Sequence, residues 1–180
     1  RCRPHRILDV ATGTGDLAIE MARRIRGVQV LGVDLSEGML DVARRKVTAR
    51  GLDGRVVLDA GDAEHLHVAD ASVDVATVAF GVRNFGDLDA GLREMARTIK
   101  PGGKVYYAAD SDAIITKGII ALLIRVLNGR TPQEILDTDL YFIDAIGLSA
   151  NLSPTRSNGL LSMVKQMRLY ALAFASKSEK

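Results

Sequence analysis

Short apolar segments alternate with longer amphipathic segments along the first hundred residues of the chain. Runs rich in Val, Ile and Leu predict buried strands, and apolar residues spaced three and four positions apart predict helices. The predicted strands cover residues 7–11, 28–34, 56–60, 73–80 and 105–108, and the predicted helices cover residues 16–26, 37–50 and 88–99. This alternation is typical of βαβ units, so we expect an α/β fold with a parallel sheet.

Residues at the ends of these segments support the predicted boundaries. Ser36 precedes the second helix and is a good N-cap, while Gly27 and Gly51 stand where glycine commonly ends a helix. Pro101 lies in a Lys-Pro-Gly-Gly sequence, which predicts a turn because proline fixes its own φ and glycine adopts turn conformations freely.

The pattern changes after residue 104, where helical spacing dominates. The predicted helices of this part cover residues 113–127, 132–138, 140–146 and 155–175. Thr131 followed by Pro132 is a typical helix start. We therefore divide the chain into residues 1–104 and residues 105–180, and we expect the second part, a strand and a helical tail, to pack with the first as one unit.

Composition and charge exclude several classes of protein. Hydrophobic residues make up 47% of the chain and charged residues 26%, which is the balance of a folded globular protein and not of a disordered one. The net charge of +2 provides no broad basic field for phosphate backbones, so we expect no nucleic-acid partner.

Cysteine and hydropathy point to a cytoplasmic protein. Cys2 is the single cysteine, so the chain forms no internal disulfide, which suits a reducing compartment. The apolar stretch at residues 113–127 contains Lys117 and Arg125 and is shorter than the ~20 residues that span a bilayer, so it predicts a buried helix. Because no Met opens the chain, we expect the reading frame to begin upstream.

A candidate ligand loop follows the first strand. Its residues are Asp9, Val10, Ala11, Thr12, Gly13, Thr14, Gly15 and Asp16. The two glycines allow a sharp turn and a close approach to a ligand, and the helix behind them presents N–H groups. A pyrophosphate is disfavoured, because a third glycine is lacking and Asp16 stands at the helix start. A ligand with an amino acid end is favoured, since Asp9 or Asp16 can bind its ammonium; a tight structural turn is the alternative.

Acidic residues end the next two predicted strands. Asp34 lies about 20 residues after the loop, where a carboxylate can bind the ribose hydroxyls of an adenosine, although a helix-capping role is the alternative. Asp62 can bind the amino group of adenine and the N–H of Ala63 can reach the ring, whereas a turn aspartate is an equal alternative. Together these residues line the edge where α/β folds bind ligands.

Five segments carry a family resemblance: residues 10–16 (VATGTGD), 32–40 (GVDLSEGML), 61–64 (GDAE), 80–84 (FGVRN) and 92–103 (LREMARTIKPGG). They resemble the ubiquinone/menaquinone biosynthesis C-methyltransferases (UbiE/MenG), which are class I enzymes that use S-adenosylmethionine. The resemblance covers residues 6–104. It implies a Rossmann-like sheet of order 3-2-1-4-5, with helices on both faces and a helical C-terminal extension.

The resemblance also implies the reaction and its residues. The methyl group of S-adenosylmethionine would pass to a carbon of an aromatic quinol, and no catalytic base is predicted. The implied cofactor residues are Asp9, Ala11, Gly13, Thr14, Gly15, Asp34, Leu35, Asp62 and Ala63, and the implied acceptor residues are Phe80, Arg83 and Asn84. His65 and His67 have no evident third partner, so we expect surface loop residues and no metal site.

Residues 104–175 resemble a different family, the C-terminal half of SufE, the sulfur acceptor that serves a cysteine desulfurase in iron-sulfur cluster assembly. The segments that carry this resemblance are residues 104–113, 117–118, 128–136 and 152–159. The acceptor cysteine of that family has no counterpart here, because Cys2 lies in a different context. Two alternatives to the enzyme therefore remain: a module that docks on a cysteine desulfurase, and a non-catalytic chimeric scaffold joined near Gly103.

Overall fold

The chain forms two compact units, which divide between residues 103 and 104. The computed structural model describes residues 4–102, 104–109, 113–147 and 152–175. Cys2 lies outside these residues. The prediction that the two parts pack as one unit stays a prediction.

A four-stranded parallel sheet of order β3-β2-β1-β4 forms the centre of the first unit. The strands are β1 (Arg6–Val10), β2 (Gln29–Asp34), β3 (Val56–Ala60) and β4 (Val75–Val78), and the helices are α1 (Asp16–Arg24), α2 (Glu37–Ala49) and α3 (Leu88–Thr98). The predicted α/β class and the first four positions of the predicted order are confirmed. All four strands run in the same direction, so their carboxyl ends lie at one edge.

The sheet is covered on both faces. Ile7 belongs to a core cluster that includes Ile19 of α1 and Leu40 of α2. Successive side chains of a strand point to opposite faces, so Leu8 and Val10 face away from this cluster, and both are fully buried. Helix α3, which follows β4 in the chain, packs against that strand. The N-cap predicted at Ser36 is confirmed, since its hydroxyl accepts the N–H of Met39 at 3.4 Å.

The predicted fifth strand is wrong for the residues that the structure describes. Val105 forms only an isolated antiparallel bridge with Arg130. The N–H of Tyr107 donates to the Asn128 side chain at 2.6 Å, and the amide nitrogen of Asn128 donates to the Tyr107 carbonyl at 3.1 Å. The backbone groups that a sheet edge would need are thus bonded within the second unit.

The fourth strand is shorter than predicted. The sequence predicts a strand over residues 73–80, whereas β4 ends at Val78 and a 3-10 helix covers Phe80–Asn84. Gly81 in this helix lies against the backbone of Ala11, so the chain turns beside the loop after β1 and does not extend along it.

The second unit is helical, as predicted. Its helices are α4 (Ile114–Leu127), α5 (Pro132–Asp137), α6 (Phe142–Ala145) and α7 (Pro154–Ala175). The predicted start of α5 is confirmed by a capping box, in which the Thr131 hydroxyl accepts the Glu134 N–H and the Glu134 carboxylate accepts the Thr131 N–H. Side chains from α4, α5 and α7 form its core. Within the described ranges, no helix has both the length and the apolar character needed to cross a membrane.

Candidate functional site

Asp34 joins the end of β2 to the glycine loop after β1. The Gly13 N–H donates to Oδ2 of Asp34 at 2.8 Å, and the Ser36 N–H donates to Oδ1 at 2.9 Å. The carboxylate is half-buried at the carboxyl edge of the sheet. One oxygen therefore bonds to the glycine loop, and the other bonds to the N-cap residue of α2.

The loop itself has a left-handed backbone at three positions. Gly13 has φ 58°, Gly15 has φ 76° and Ala11 has φ 53°. A side chain at Gly15 would also lie 2.9 Å from the Cβ of Ala43, so glycine is needed there for the close packing of α1 on α2. Both glycines of the predicted ligand loop thus have a geometric reason to be glycine.

Asp9 lies beneath the loop and not in it. Only 2% of the residue is exposed, and its carboxylate accepts the hydroxyl of Thr12 at 2.7 Å and that of Thr77 at 2.6 Å. Burial raises the pKa of this carboxyl, while the two hydroxyls oppose the shift because they stabilise the ionised form. The structure therefore places Asp9 as a buried tie between β1, the loop and β4.

Asp16 is the other acidic residue suggested for a ligand ammonium, and it has a partner within the protein. The Lys46 ammonium lies 2.9 Å from both the Asp16 carboxylate and the Thr14 hydroxyl, and that hydroxyl donates to Asp16 at 2.8 Å. The lysine and the hydroxyl hold the pKa of Asp16 below its ordinary value. The Thr14 hydroxyl is thus bonded to both Asp16 and Lys46.

At the end of β3, Asp62 caps its own turn. Its Oδ1 accepts the N–H of Glu64 at 2.9 Å, and the residue is half-buried beside the buried Ala63. His65 lies 4.0 Å from Asp62, and His67 is exposed. No group of three or more metal-binding side chains occurs among the residues that the structure describes. The turn role of Asp62 is therefore visible, and a ligand role is compatible with it because each carboxylate oxygen accepts more than one bond.

Apolar side chains stand exposed around the loop. Leu35 is 72% exposed and Met39 48%, and Phe80 is 83% exposed at the start of the 3-10 helix. Arg83 and Asn84, at the end of that helix, are exposed as well. Large apolar groups in water beside a half-buried carboxylate are typical of a binding surface for a flat, partly apolar ligand.

Three residues of this site were assigned no role from the sequence, although Thr12 belongs to the predicted ligand loop. Thr12 has a local signal, because it follows Asp9 by three positions and can bond back to it. Thr77 has none, since its contact with Asp9 depends on the register of β4 against β1, across 68 positions of sequence. Lys46 lies 30 positions from Asp16 and is brought to it by the packing of α2 beside α1.

The sequence profile of the ubiE/COQ5 methyltransferase family matches residues 1–121, well over half of the chain. The chain belongs to this family. The match confirms the resemblance to the UbiE methyltransferases, which depend on S-adenosylmethionine. The matched range includes the glycine loop, Asp34 and the 3-10 helix. A second profile, described as the Fe-S metabolism associated domain SufE, matches residues 95–171 and confirms the resemblance of the tail.

Individual relatives agree with the family. Demethylmenaquinone methyltransferase of Bacteroides fragilis is 50% identical over 101 residues, which are 56% of this chain and 41% of that protein. The chain thus spans about two fifths of the length of the curated relatives it matches.

Solved structures agree at the level of the fold. The [4+2]-cyclase SpnF shares 33% identity with a TM-score of 0.53, over 56% of this chain and 36% of that one. An arsenic(III) S-adenosylmethionine methyltransferase of Chlamydomonas reinhardtii shares 27% identity with a TM-score of 0.51, over 56% of this chain and 36% of that one.

The residues at this edge are compatible with S-adenosylmethionine. Each oxygen of Asp34 accepts one N–H bond and keeps a second acceptor position, which is what two ribose hydroxyls require. Leu35 offers apolar surface next to that carboxylate for the adenine ring. The side chain of Asp9 is the exception, because the residue is only 2% exposed and its carboxylate is bonded to Thr12 and Thr77 beneath the loop.

Proposed function

We propose that the first unit binds S-adenosylmethionine and that the protein methylates a carbon of an aromatic quinol in quinone biosynthesis. The observation that supports this most directly is the bond between Gly13 and Asp34, which joins a glycine loop to a carboxylate with free acceptor capacity at the carboxyl edge of a parallel sheet. The curated relative at 50% identity, a demethylmenaquinone methyltransferase, supports the choice of quinol.

In this proposal different residues bind different parts of the cofactor. Asp34 accepts the ribose hydroxyls, and Asp62 and the N–H of Ala63 bind the adenine beside Leu35. The backbone of the loop, with Ala11, Gly13, Thr14 and Gly15, receives the amino acid end, while Asp9 holds the loop from below. S-adenosylmethionine supplies an activated methyl group on a sulfonium, so the protein contributes position and exclusion of water.

The acceptor side of the proposed site is the 3-10 helix. Phe80 is the largest exposed apolar side chain there and offers a surface for a flat ring, and Arg83 and Asn84 offer hydrogen-bond donors for a quinol oxygen. We propose a cytoplasmic location, in line with the single cysteine of the chain.

Methyl transfer is tested by product analysis, because one fold supports different reactions and a structural neighbour is a cyclase. The full chain is incubated with S-adenosylmethionine and a short-chain demethylated naphthoquinol, and the quinol is analysed by mass spectrometry. We expect a product heavier by one CH2 group and loss of that product in Asp34→Ala. A folded chain that binds the cofactor without forming the product would limit the proposal to binding.

A second function is supported by the SufE profile over the tail. We propose that the second unit docks on a cysteine desulfurase. A groove of about 470 Å³ in this unit carries exposed Leu122, Tyr141 and Ile146 beside Arg125, which suits an apolar segment with acidic neighbours. Co-elution of the full chain with a purified cysteine desulfurase tests this. We expect complex formation that Tyr141→Ala weakens and Asp34→Ala does not; separate elution of the two proteins would contradict it.

A further inference from the structure

Gly81 of the 3-10 helix lies directly against Ala11 of the glycine loop. A Cβ placed on Gly81 would stand 2.3 Å from the Cβ of Ala11 and 3.4 Å from its carbonyl oxygen. Carbon atoms in contact stay about 3.5–4.0 Å apart. Because the Cβ of alanine is fixed to its backbone and cannot rotate away, any side chain at position 81 forces the two backbone segments apart.

The loop backbone at this contact is unusual for a residue with a side chain. Ala11 has φ 53°, a left-handed conformation that residues other than glycine seldom adopt. The next residue, Thr12, is held from the other side, because its N–H donates to the Val33 carbonyl of β2 at 3.0 Å. The start of the loop is therefore fixed between β2 and the segment that contains Gly81.

We propose that Gly81 is a positioning residue for the cofactor loop. Its lack of a side chain lets Phe80–Asn84 lie directly on Ala11, and this contact keeps Ala11 in its left-handed conformation. The loop that follows then has the shape that receives the amino acid end of the cofactor, so this inference rests on the proposed function of the loop. Since the same helix carries Phe80 and Arg83, the contact also links the acceptor side to the cofactor side.

A double-mutant cycle separates this role from a general loss of stability. In the full chain, Gly81→Ala adds a Cβ that overlaps the Cβ of Ala11, and Ala11→Gly removes the Cβ of residue 11. The carbonyl oxygen and Cα of residue 11 would then lie 3.4 and 3.6 Å from the new Cβ. We expect Gly81→Ala to weaken binding of S-adenosylhomocysteine by roughly tenfold or more. In the Ala11→Gly background the same substitution should have little effect on that affinity.

Thermal unfolding of the ligand-free variants gives a second readout. We expect Gly81→Ala to lower the Tm in the wild-type background and not in the Ala11→Gly background. If Gly81→Ala does not fold, folding of the double variant provides the same answer, because rescue by a change at position 11 alone identifies the contact. Leu52→Ala is the matched control: this core residue is 8% exposed and precedes β3, at the opposite end of the strands from the loop. It should lower the Tm and leave the affinity unchanged.

Because the Tm and the ligand affinity are measured separately, failure of this inference can be distinguished from failure of the proposed function. If the folded wild-type chain does not bind S-adenosylhomocysteine, the proposed function fails, while the cycle of Tm values still tests the contact. The inference is overturned if Gly81→Ala leaves both the Tm and the affinity unchanged, or if its effects are as large in the Ala11→Gly background as in the wild type.

Discussion

The hydroxyl of Thr77 on β4 donates to the buried carboxylate of Asp9 on β1 at 2.6 Å, and the two residues are directly paired in the sheet register. Thr12 donates to the other oxygen of the same carboxylate. One buried acid therefore ties together the first strand, the start of the cofactor loop and the fourth strand.

Thr77→Val should destabilise the protein, and the effect should depend on pH. The substitution removes a donor to a buried carboxylate, which costs about 1–3 kcal/mol when the group is ionised. Because burial raises the pKa of Asp9 in the folded state above the unfolded value of about 3.9, ionisation of Asp9 lowers stability as the pH rises from about 4 through the raised pKa.

The Thr77 hydroxyl reduces that loss, so the difference between wild type and Thr77→Val should grow between acidic and neutral pH. Denaturant unfolding at several pH values measures it, and Thr77→Ser, which keeps the hydroxyl, is the control. An equal difference at all pH values would show that Thr77 contributes packing alone.

Lys46→Gln should weaken binding of S-adenosylhomocysteine by several-fold. Without the ammonium, the Asp16 carboxylate loses its ion-pair partner, and its negative charge then opposes the carboxylate of the amino acid end that the neighbouring loop backbone is proposed to receive. Affinity for 5′-methylthioadenosine, which lacks the amino acid end, should not change. Calorimetry with the two ligands makes the comparison, and Lys46→Arg should retain the binding of both. Equal losses for both ligands would assign Lys46 to the fold of the loop in general.

Asp74→Asn should lower stability at neutral pH by roughly 1–2 kcal/mol. The Asp74 carboxylate accepts the N–H groups of His5 and Arg6 at the start of β1 and lies 2.6 Å from the Lys100 ammonium. Lys100 first, and then the two backbone donors, hold the pKa of Asp74 well below its ordinary range.

A carboxylate with a lowered folded-state pKa stabilises the fold above its unfolded pKa of about 3.9 and loses that contribution as the pH falls below it. The stability difference between wild type and Asp74→Asn should therefore be full at neutral pH and shrink in acid. Unfolding by urea across this range tests the prediction, and a difference that widens in acid would refute it.

Local patterns predict most of the first unit, because its strands and helices are set by their own apolar spacing and end signals. Local patterns do not predict how residues 105–107 are hydrogen-bonded. The Asn128 side chain bonds to the N–H and the carbonyl of Tyr107, and these two residues are distant in sequence. The site divides in the same way. Gly13 and Asp34 are visible as motifs, whereas the contact of Gly81 with Ala11 depends on how β4 lies against β1.

Titration of the full chain with S-adenosylhomocysteine in a calorimeter tests whether the edge of the sheet at Asp34 is a cofactor site. We expect one binding site per chain and loss of binding in Asp34→Ala. Asp34→Asn should also bind weakly, because both carboxylate oxygens accept N–H bonds and an amide turns one of these acceptors into a donor. A folded wild-type chain that gives no heat of binding, or an affinity that both Asp34 variants leave unchanged, would contradict it.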